Sequence, residues 1–303
     1  MKRRLNHFFV LSLLVALSAG GAIACCADEP GLAGDGRLGV VVSIAPQEYF
    51  VERIGGDHVS ASVMVEPGAD PHTYEPKPEQ MRALSRSAGY FSIGVEFETA
   101  WLDKFAAANP GLQIVDTIAN IERMPMEAHH HDDGEEGHAR GEPDPHVWLS
   151  PELVKVQSQT IYGALADLDP AHEAEYRANL DAFIADIDAL EADIKATLSG
   201  LENKKFMVFH PAWGYFARDF GLEQIPIEVG GQEPSAQELA HLIQEARDED
   251  IRVVFAQPEL STQDAETIAS EIDGEVLLID PLAPDWLENM RTVAQTFADV
   301  LGE

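Results

Sequence analysis

Three histidines in this chain stand directly against prolines, far apart in sequence: Asp70-Pro71-His72, Asp144-Pro145-His146 and His210-Pro211. Imidazole nitrogens ligate divalent cations. A proline beside each ring narrows the backbone, so less entropy is lost in holding the ring in place. Asp280 has the same kind of neighbour, since it ends the apolar run EVLLI and precedes Pro281. Three imidazoles and one carboxylate suit a four-coordinate site for Zn²⁺, which accepts nitrogen and oxygen ligands in tetrahedral geometry. Mn²⁺ is better served by more oxygen. Spacing alone does not bring the four residues together, and a single His-Pro pair is as readily a structural turn. Thiolate chemistry is excluded from the folded body. The only cysteines are Cys25 and Cys26, next to the N-terminal apolar run, which leaves none for a disulfide, a metal thiolate or a nucleophile.

The elements that must position these residues alternate. LGVVVSI (38–44) is a β-rich apolar run, and Pro46 opens a helical stretch to Ile54. HVSASVMV (58–65) alternates with period two, Pro78 opens a helix, and YFSIG, a helix over 99–108 and LQIVD (112–116) follow. Strand-helix alternation predicts parallel strands with helical crossovers. After a polar stretch over 119–145, Ser150-Pro151 reads as a helix start with serine as N-cap. From Asp169-Pro170 to Ser199 there is no glycine and no further proline, and Leu180, Phe183, Ile184, Ile187, Leu190, Ile194 and Leu198 recur at helical spacing. About thirty helical residues would span roughly 45 Å, and we read them as a strut between two lobes. The alternation then restarts with KFMVFH, WGYFARDF, LEQIPIEV, a helix capped by Ser235 with Glu238 completing a capping box, RVVFAQ, TQDAETIASEI, EVLLID and a last helix from Asp285. The expected fold is α/β: two lobes of similar plan with parallel sheets, joined by one long helix. The expected divisions are a signal peptide at 1–24, a tether at 25–37, an N-terminal lobe at 38–168, the linking helix at 169–200 and a C-terminal lobe at 201–303. In such sheets ligands bind beyond the carboxyl ends of the strands, where His72, His210 and Asp280 would fall.

The formal net charge is −33, with 53 acidic against 20 basic residues, which argues against nucleic acid or anionic lipid as a partner of the folded body. The first residues differ: MKRR is basic, FFVLSLLVALSA apolar and GGAIACC small, the pattern of an export signal. Removing residues 1–24 takes away three basic and no acidic residues, which moves the charge to −36. Ala22-Ile23-Ala24-Cys25 resembles a lipobox, with Cys25 as the lipid-attachment residue, although Ala22 stands where Leu, Val or Ile is usual. Ala22-x-Ala24 also fits ordinary signal cleavage, and the run from Phe8 to Cys26 could remain as an uncleaved anchor.

The segments GADPHTYEPKPEQMRALSRSAGYFSIGVEFETAWLDK, DPHVWLSP, FHPAWGYFARDFGL and VLLIDPL, in this order and spacing, resemble the metal-binding proteins of zinc and manganese ABC importers, the TroA-like cluster. The resemblance covers nearly all of residues 38–303. It implies two Rossmann-like lobes joined by one rigid backbone helix with the metal in the cleft, in an extracytoplasmic solute-binding protein (periplasmic in a Gram-negative cell) that delivers its ion to an ABC permease and its ATPase; with the lipobox-like N-terminus, we expect a monomer tethered to the outer face of the cell membrane. The family's ligand positions match His72, His146, His210 and Asp280. Manganese members commonly carry Glu at the third position, so His210 favours Zn²⁺ over Mn²⁺ as the transported ion. In zinc members the aspartate binds, or stands nearby while water takes the fourth place. Zinc receptors of this kind often have a histidine-rich loop, and His129, His130, His131 and His138 in HHHDDGEEGHARGE form a second, weaker metal-binding element.

A different class of reading is a secreted zinc hydrolase with Asp280 or Glu75 as base, but the chain has no HExxH and no evident organic-substrate pocket. Surface metal receptors are sometimes described as adhesive, and nothing in the sequence marks a host-binding surface. Trp101, Trp148, Trp213 and Trp286 read as packing anchors. His58, His172 and His241 have no assigned role.

Overall fold

In the computed structural model the described residues are 31–33, 36–126, 143–228, 234–260 and 262–302. Residues 1–30, with the signal and Cys25, and residues 127–142, with His129, His130, His131 and His138, lie outside them.

The first apolar run forms β1 (Leu38–Val42), buried along its whole length. Such a strand belongs in the middle of a parallel sheet covered on both faces. It pairs in parallel with β2 (Val59–Val63) on one side and β3 (Gly89–Ser92) on the other, and β4 (Gln113–Asp116) pairs with β3, for an order of β2-β1-β3-β4. The crossovers are α1 (Ala45–Gly55), α2 (Pro78–Leu84) and α3 (Glu96–Ala108). A second parallel sheet repeats this plan from β5 (Lys205–Val208), β6 (Glu223–Pro226), β7 (Val253–Ala256) and β8 (Glu275–Leu278), in the order β6-β5-β7-β8. The protein is therefore α/β with two parallel-sheet lobes.

Between the sheets run α4 (Pro151–Leu168) and α5 (Glu173–Thr197). Ser150 caps α4, accepting from the Leu153 N–H at 3.2 Å. The linking helix is shorter than its apolar spacing suggests: α5 has 25 residues, about 37 Å. Its first turn is replaced by a 3-10 turn over Pro170–His172, where the Asp169 carboxylate takes His172 Nδ1 at 2.6 Å and the Tyr176 hydroxyl at 2.7 Å. The buried stripe of α5, Tyr176, Leu180, Phe183, Ile187, Leu190 and Ile194, packs on α4, α1 and the last helix α9 (Trp286–Leu301). In the second lobe, α6 (Gly214–Phe220) follows β5, Ser235 and Glu238 make a reciprocal capping box at α7 (Ala236–Asp248), and α8 (Gln263–Glu271) covers β7 and β8.

One hydrophobic core runs through both lobes, from Val41 and Phe91 through Phe183 and Leu190 to Phe206, Phe255 and Phe297. Two indoles fasten the lobes at its upper edge. Trp148 Nε1 donates to the Pro281 carbonyl at 2.7 Å, and Trp286 Nε1 donates to the Trp148 carbonyl at 2.7 Å. Burying an indole without a partner for its N–H is costly, so these bonds fix which backbone each ring can lie against.

Candidate metal site between the lobes

The segment after the carboxyl end of every strand except β1 carries a chemically active side chain. His72 follows β2, Glu96 follows β3, and Asp144 and His146 come from the segment after β4. His210 follows β5, Glu228 follows β6, Glu259 follows β7 and Asp280 follows β8.

The Asp-Pro-His repeats have a local explanation. Asp70 Oδ1 accepts from the His72 backbone N–H at 2.8 Å, and Asp144 Oδ1 accepts from that of His146 at 2.9 Å. Each is an Asx-type turn, in which the aspartate side chain satisfies the amide two residues on. Asp280-Pro281-Leu282 makes the same turn, with Asp280 Oδ1 accepting from Leu282 N–H at 2.7 Å. The third position here is leucine, so this turn presents no imidazole. His210 is fixed differently, since the following proline favours an extended backbone at that position.

The three imidazoles meet. His72 Nε2 lies 3.1 Å from His210 Nε2, which lies 3.3 Å from His146 Nε2. All three rings place a nitrogen within 4.8 Å of the others, the only such group of possible metal ligands among the described residues. A tetrahedral Zn²⁺ with Zn–N distances of about 2.0–2.1 Å sets its nitrogens about 3.3 Å apart. The far nitrogen of each ring faces a carboxylate. His72 Nδ1 lies 2.6 Å from Glu96, His146 Nδ1 lies 2.7 Å from Asp144, and His210 Nδ1 lies 3.3 Å from Glu228. With Nδ1–H donating to a carboxylate, each Nε2 carries a lone pair, so three lone pairs point at one small space. Mutual repulsion makes that arrangement unfavourable unless a cation or proton sits among them.

Burial differs across the trio. His146 and His210 are 3% and 4% exposed, while His72 is half-buried at the cleft mouth. Burial pulls the His72 imidazole down, but the hydrogen bond and charge of Glu96, with Asp70 and Glu228, outweigh it and hold His72 above its ordinary value. For His210 burial wins over Glu228, helped by the neighbouring His146 and His72, and its pKa is lowered. Burial also opposes ionisation of Glu96, yet its bond to His72 keeps it below the usual carboxylate range.

Glu96 is itself held by a second network. The turn 93–95 needs Gly94, whose φ of +83° no side chain readily adopts and whose Cβ would lie 2.6 Å from Ile118. Glu98, two residues further along the same helix, accepts from Ile93 and Gly94 N–H at 2.9 and 2.8 Å and from the Ser43 hydroxyl, which also meets Tyr90. Burial pushes the Glu98 carboxyl up to about 7.

Asp280 does not join the histidine cluster. Its Oδ1 accepts from Leu282 N–H, and it lines an adjoining cavity of about 320 Å³ with Glu48, Glu66 and Glu259. Burial raises its pKa against the opposing Leu282 N–H. Glu75 is exposed on its loop. Sequence reasoning missed Glu96, Glu228 and Glu259. Of the three carboxylate partners only Asp144, two residues before its histidine, had a local signal. His58 and His172 find each other instead, their rings stacked at 3.7 Å beside the amino end of β2, with Glu175 and Asp169 as partners. Parallel stacked rings cannot both aim an in-plane lone pair at one ion.

Two parallel-sheet lobes that share a converging trio of imidazoles define the class of two-lobed solute-binding proteins with a cation pocket. The family model of the zinc-uptake complex component A, periplasmic (ZnuA), matches residues 40–300, and the chain belongs to that family. It is 28% identical to the high-affinity zinc uptake system protein ZnuA of Bacillus subtilis, across 93% of this chain and 90% of that protein. A crystal structure of ZnuA superposes with a TM-score of 0.81 at 47% identity, covering 88% of this chain and 99% of that one. A ZnuA deletion mutant with zinc bound is similar at 47% identity and a TM-score of 0.80, covering 87% and 98%.

Proposed function

We propose that the chain is the extracytoplasmic receptor of a zinc ABC importer. It binds Zn²⁺ through Nε2 of His72, His146 and His210 and gives it up to a permease driven by its ATPase. The observation that carries this reading is the convergence of three imidazoles, with His210 Nε2 at tetrahedral spacing from the Nε2 of both His72 and His146 and each ring held by a carboxylate on its other nitrogen. Nitrogen at all three positions favours Zn²⁺ over Mn²⁺. The space that His72 and His146 share with Trp148 and Gln257 is about 10 Å³, enough for one water or ion and too small for an organic substrate. A receptor rather than a hydrolase fits that size. Export through residues 1–24, with Cys25 as the lipid-bearing N-terminus, suits a receptor tethered beside its permease, and the mass of the mature N-terminal peptide tests it. Among the described residues no helix is long and apolar enough to cross a membrane.

The test is metal analysis of protein purified without added metal, followed by Zn²⁺/Mn²⁺ competition on wild type and on His72→Ala, His146→Ala and His210→Ala. One tightly held Zn²⁺ per chain is expected, strongly weakened in each variant. Wild-type zinc affinity in all three variants would sink the assignment.

A further inference from the structure

One carboxylate beside the histidines has no part in the turns and pairs described above. Glu259 lies in the turn after β7 and lines the same pocket as His72, His146, Asp70 and Gln257. It also faces the adjoining cavity that holds Asp280. Its Oε2 atom is buried and has no hydrogen-bond partner. A desolvated, unpartnered carboxylate oxygen is unfavourable unless a donor or cation completes it. Burial and the nearby charges of Asp280 and Asp70 all disfavour the ionised form of Glu259, with its own backbone N–H as the opposing influence. Asp280, by contrast, is engaged. Its Oδ1 holds Leu282 N–H, and its carbonyl accepts from Asn289 Nδ2 at 2.7 Å. Moving the Asp280 carboxylate to the histidines breaks a turn between two residues, whereas Oε2 of Glu259 has no partner to give up and the carboxylate leaves only its own backbone N–H. Three imidazoles leave a tetrahedral ion one open position, and a carboxylate oxygen fits it.

We propose that Glu259 supplies the oxygen that completes the zinc site, swinging from the turn after β7 onto the ion, while Asp280 stays in its own turn. The proposal rests on the zinc-receptor reading above. Glu259 is not among the ligand atoms that already lie within 4.8 Å of one another, so rotation about its side-chain bonds is part of the binding step. The completed site then takes two ligands from each lobe: His72 and His146 from the first, His210 and Glu259 from the second. The carboxylate becomes ligated only when the ion is present, and its removal from the ion needs no movement of either lobe.

The experiment compares the full mature protein with Glu259→Gln, Asp280→Asn and His146→Ala. Zn²⁺ affinity is measured against a chromophoric chelator, Co²⁺ ligand-field spectra report the donor set, and thermal unfolding without metal checks the fold. Glu259→Gln keeps the size of the side chain and should weaken Zn²⁺ by about tenfold or more and shift the Co²⁺ bands, while Asp280→Asn changes affinity by less than about threefold. Wild-type affinity and an unchanged Co²⁺ spectrum in Glu259→Gln overturn the inference, and so does a loss in Asp280→Asn that equals or exceeds it. If His146→Ala loses zinc in those cases, the receptor reading still stands. If His146→Ala binds like wild type, the histidine site itself is wrong.

Discussion

Replacing Asp144 by asparagine should weaken zinc binding more than the matching change at either of the other two carboxylate partners. Asp144 and His146 are both 3% exposed at the side chain and lie 2.7 Å apart. The amide of Asp144→Asn would keep an oxygen that accepts from His146, so the turn and the ring orientation survive and chiefly the charge is lost. Carboxylate partners of ligating histidines are worth roughly 10- to 100-fold in metal affinity. Full burial puts Asp144 at the upper end, about 100-fold or about 2.7 kcal/mol. Glu96 is 41% exposed, so water screens its charge, and Glu96→Gln should cost about tenfold or about 1.4 kcal/mol. Glu228 is nearly buried but stands 3.3 Å from His210, and Glu228→Gln should fall between the two. Chelator competition near neutral pH on the three variants measures the series, with unfolding midpoints to confirm that the apo proteins fold. An inverted order, with Glu96→Gln the most damaging, would refute the argument from burial.

Zinc must displace a proton that His72 holds above its ordinary pKa. Affinity should therefore begin to fall, as pH drops, already above the usual histidine value of about 6.5, and Glu96→Gln should move that fall to lower pH; a titration of affinity flat from about pH 8 to pH 5 contradicts this. Glu98 is raised from its ordinary 4.5 to about 7, so the folded state binds more protons than the unfolded one between these values. Its contribution is fully present at low pH and is lost as pH rises through that window, by about 3 kcal/mol, and Glu98→Gln should remove this slope from urea unfolding measured across it; an unchanged slope rejects the account. Deleting residues 127–142 should leave one tight zinc per chain, because Pro125 and Pro143 already pair across the gap and Asp144 N–H bonds the Met124 carbonyl at 2.8 Å. Any additional weaker binding by His129, His130, His131 and His138 should vanish in calorimetry; loss of the tight site is the refuting result.

The strands and crossovers were legible because buried parallel strands are continuous apolar runs: LGVVV, YFSIG and VVFA each fell where a strand is found. The histidines stood out because each sits beside a proline. What the Asp-Pro step does was only half legible. The proline was visible as a stiffener, but the aspartate's own role, closing a turn onto the amide two residues on, appears only in three dimensions. The same turn holds Asp280, which stands outside the cluster of three imidazoles. Glu96 and Glu228 lie 24 and 18 residues from the rings they hold, and no local pattern in an acidic chain separates them from dozens of solvated carboxylates. The start of α5 was misjudged for a similar reason, because the Asp169 side chain ties down a 3-10 turn that apolar periodicity does not register.

The core that passes unbroken from one lobe to the other, fastened by the indoles of Trp148 and Trp286, has a bearing on how occupancy is announced. A receptor with a loose hinge advertises its cargo by changing outline, and a partner can sort full from empty by shape. Here one buried core is shared by both halves, and repacking it at every cycle would expose buried aromatic surface. The messenger left to this molecule is electrical and local: two positive charges arriving in a strongly acidic groove, and a few side chains at its rim that fall quiet. A docking partner that distinguishes the loaded from the empty state must therefore read the rim of the groove where His72 and Glu96 reach solvent, at close range.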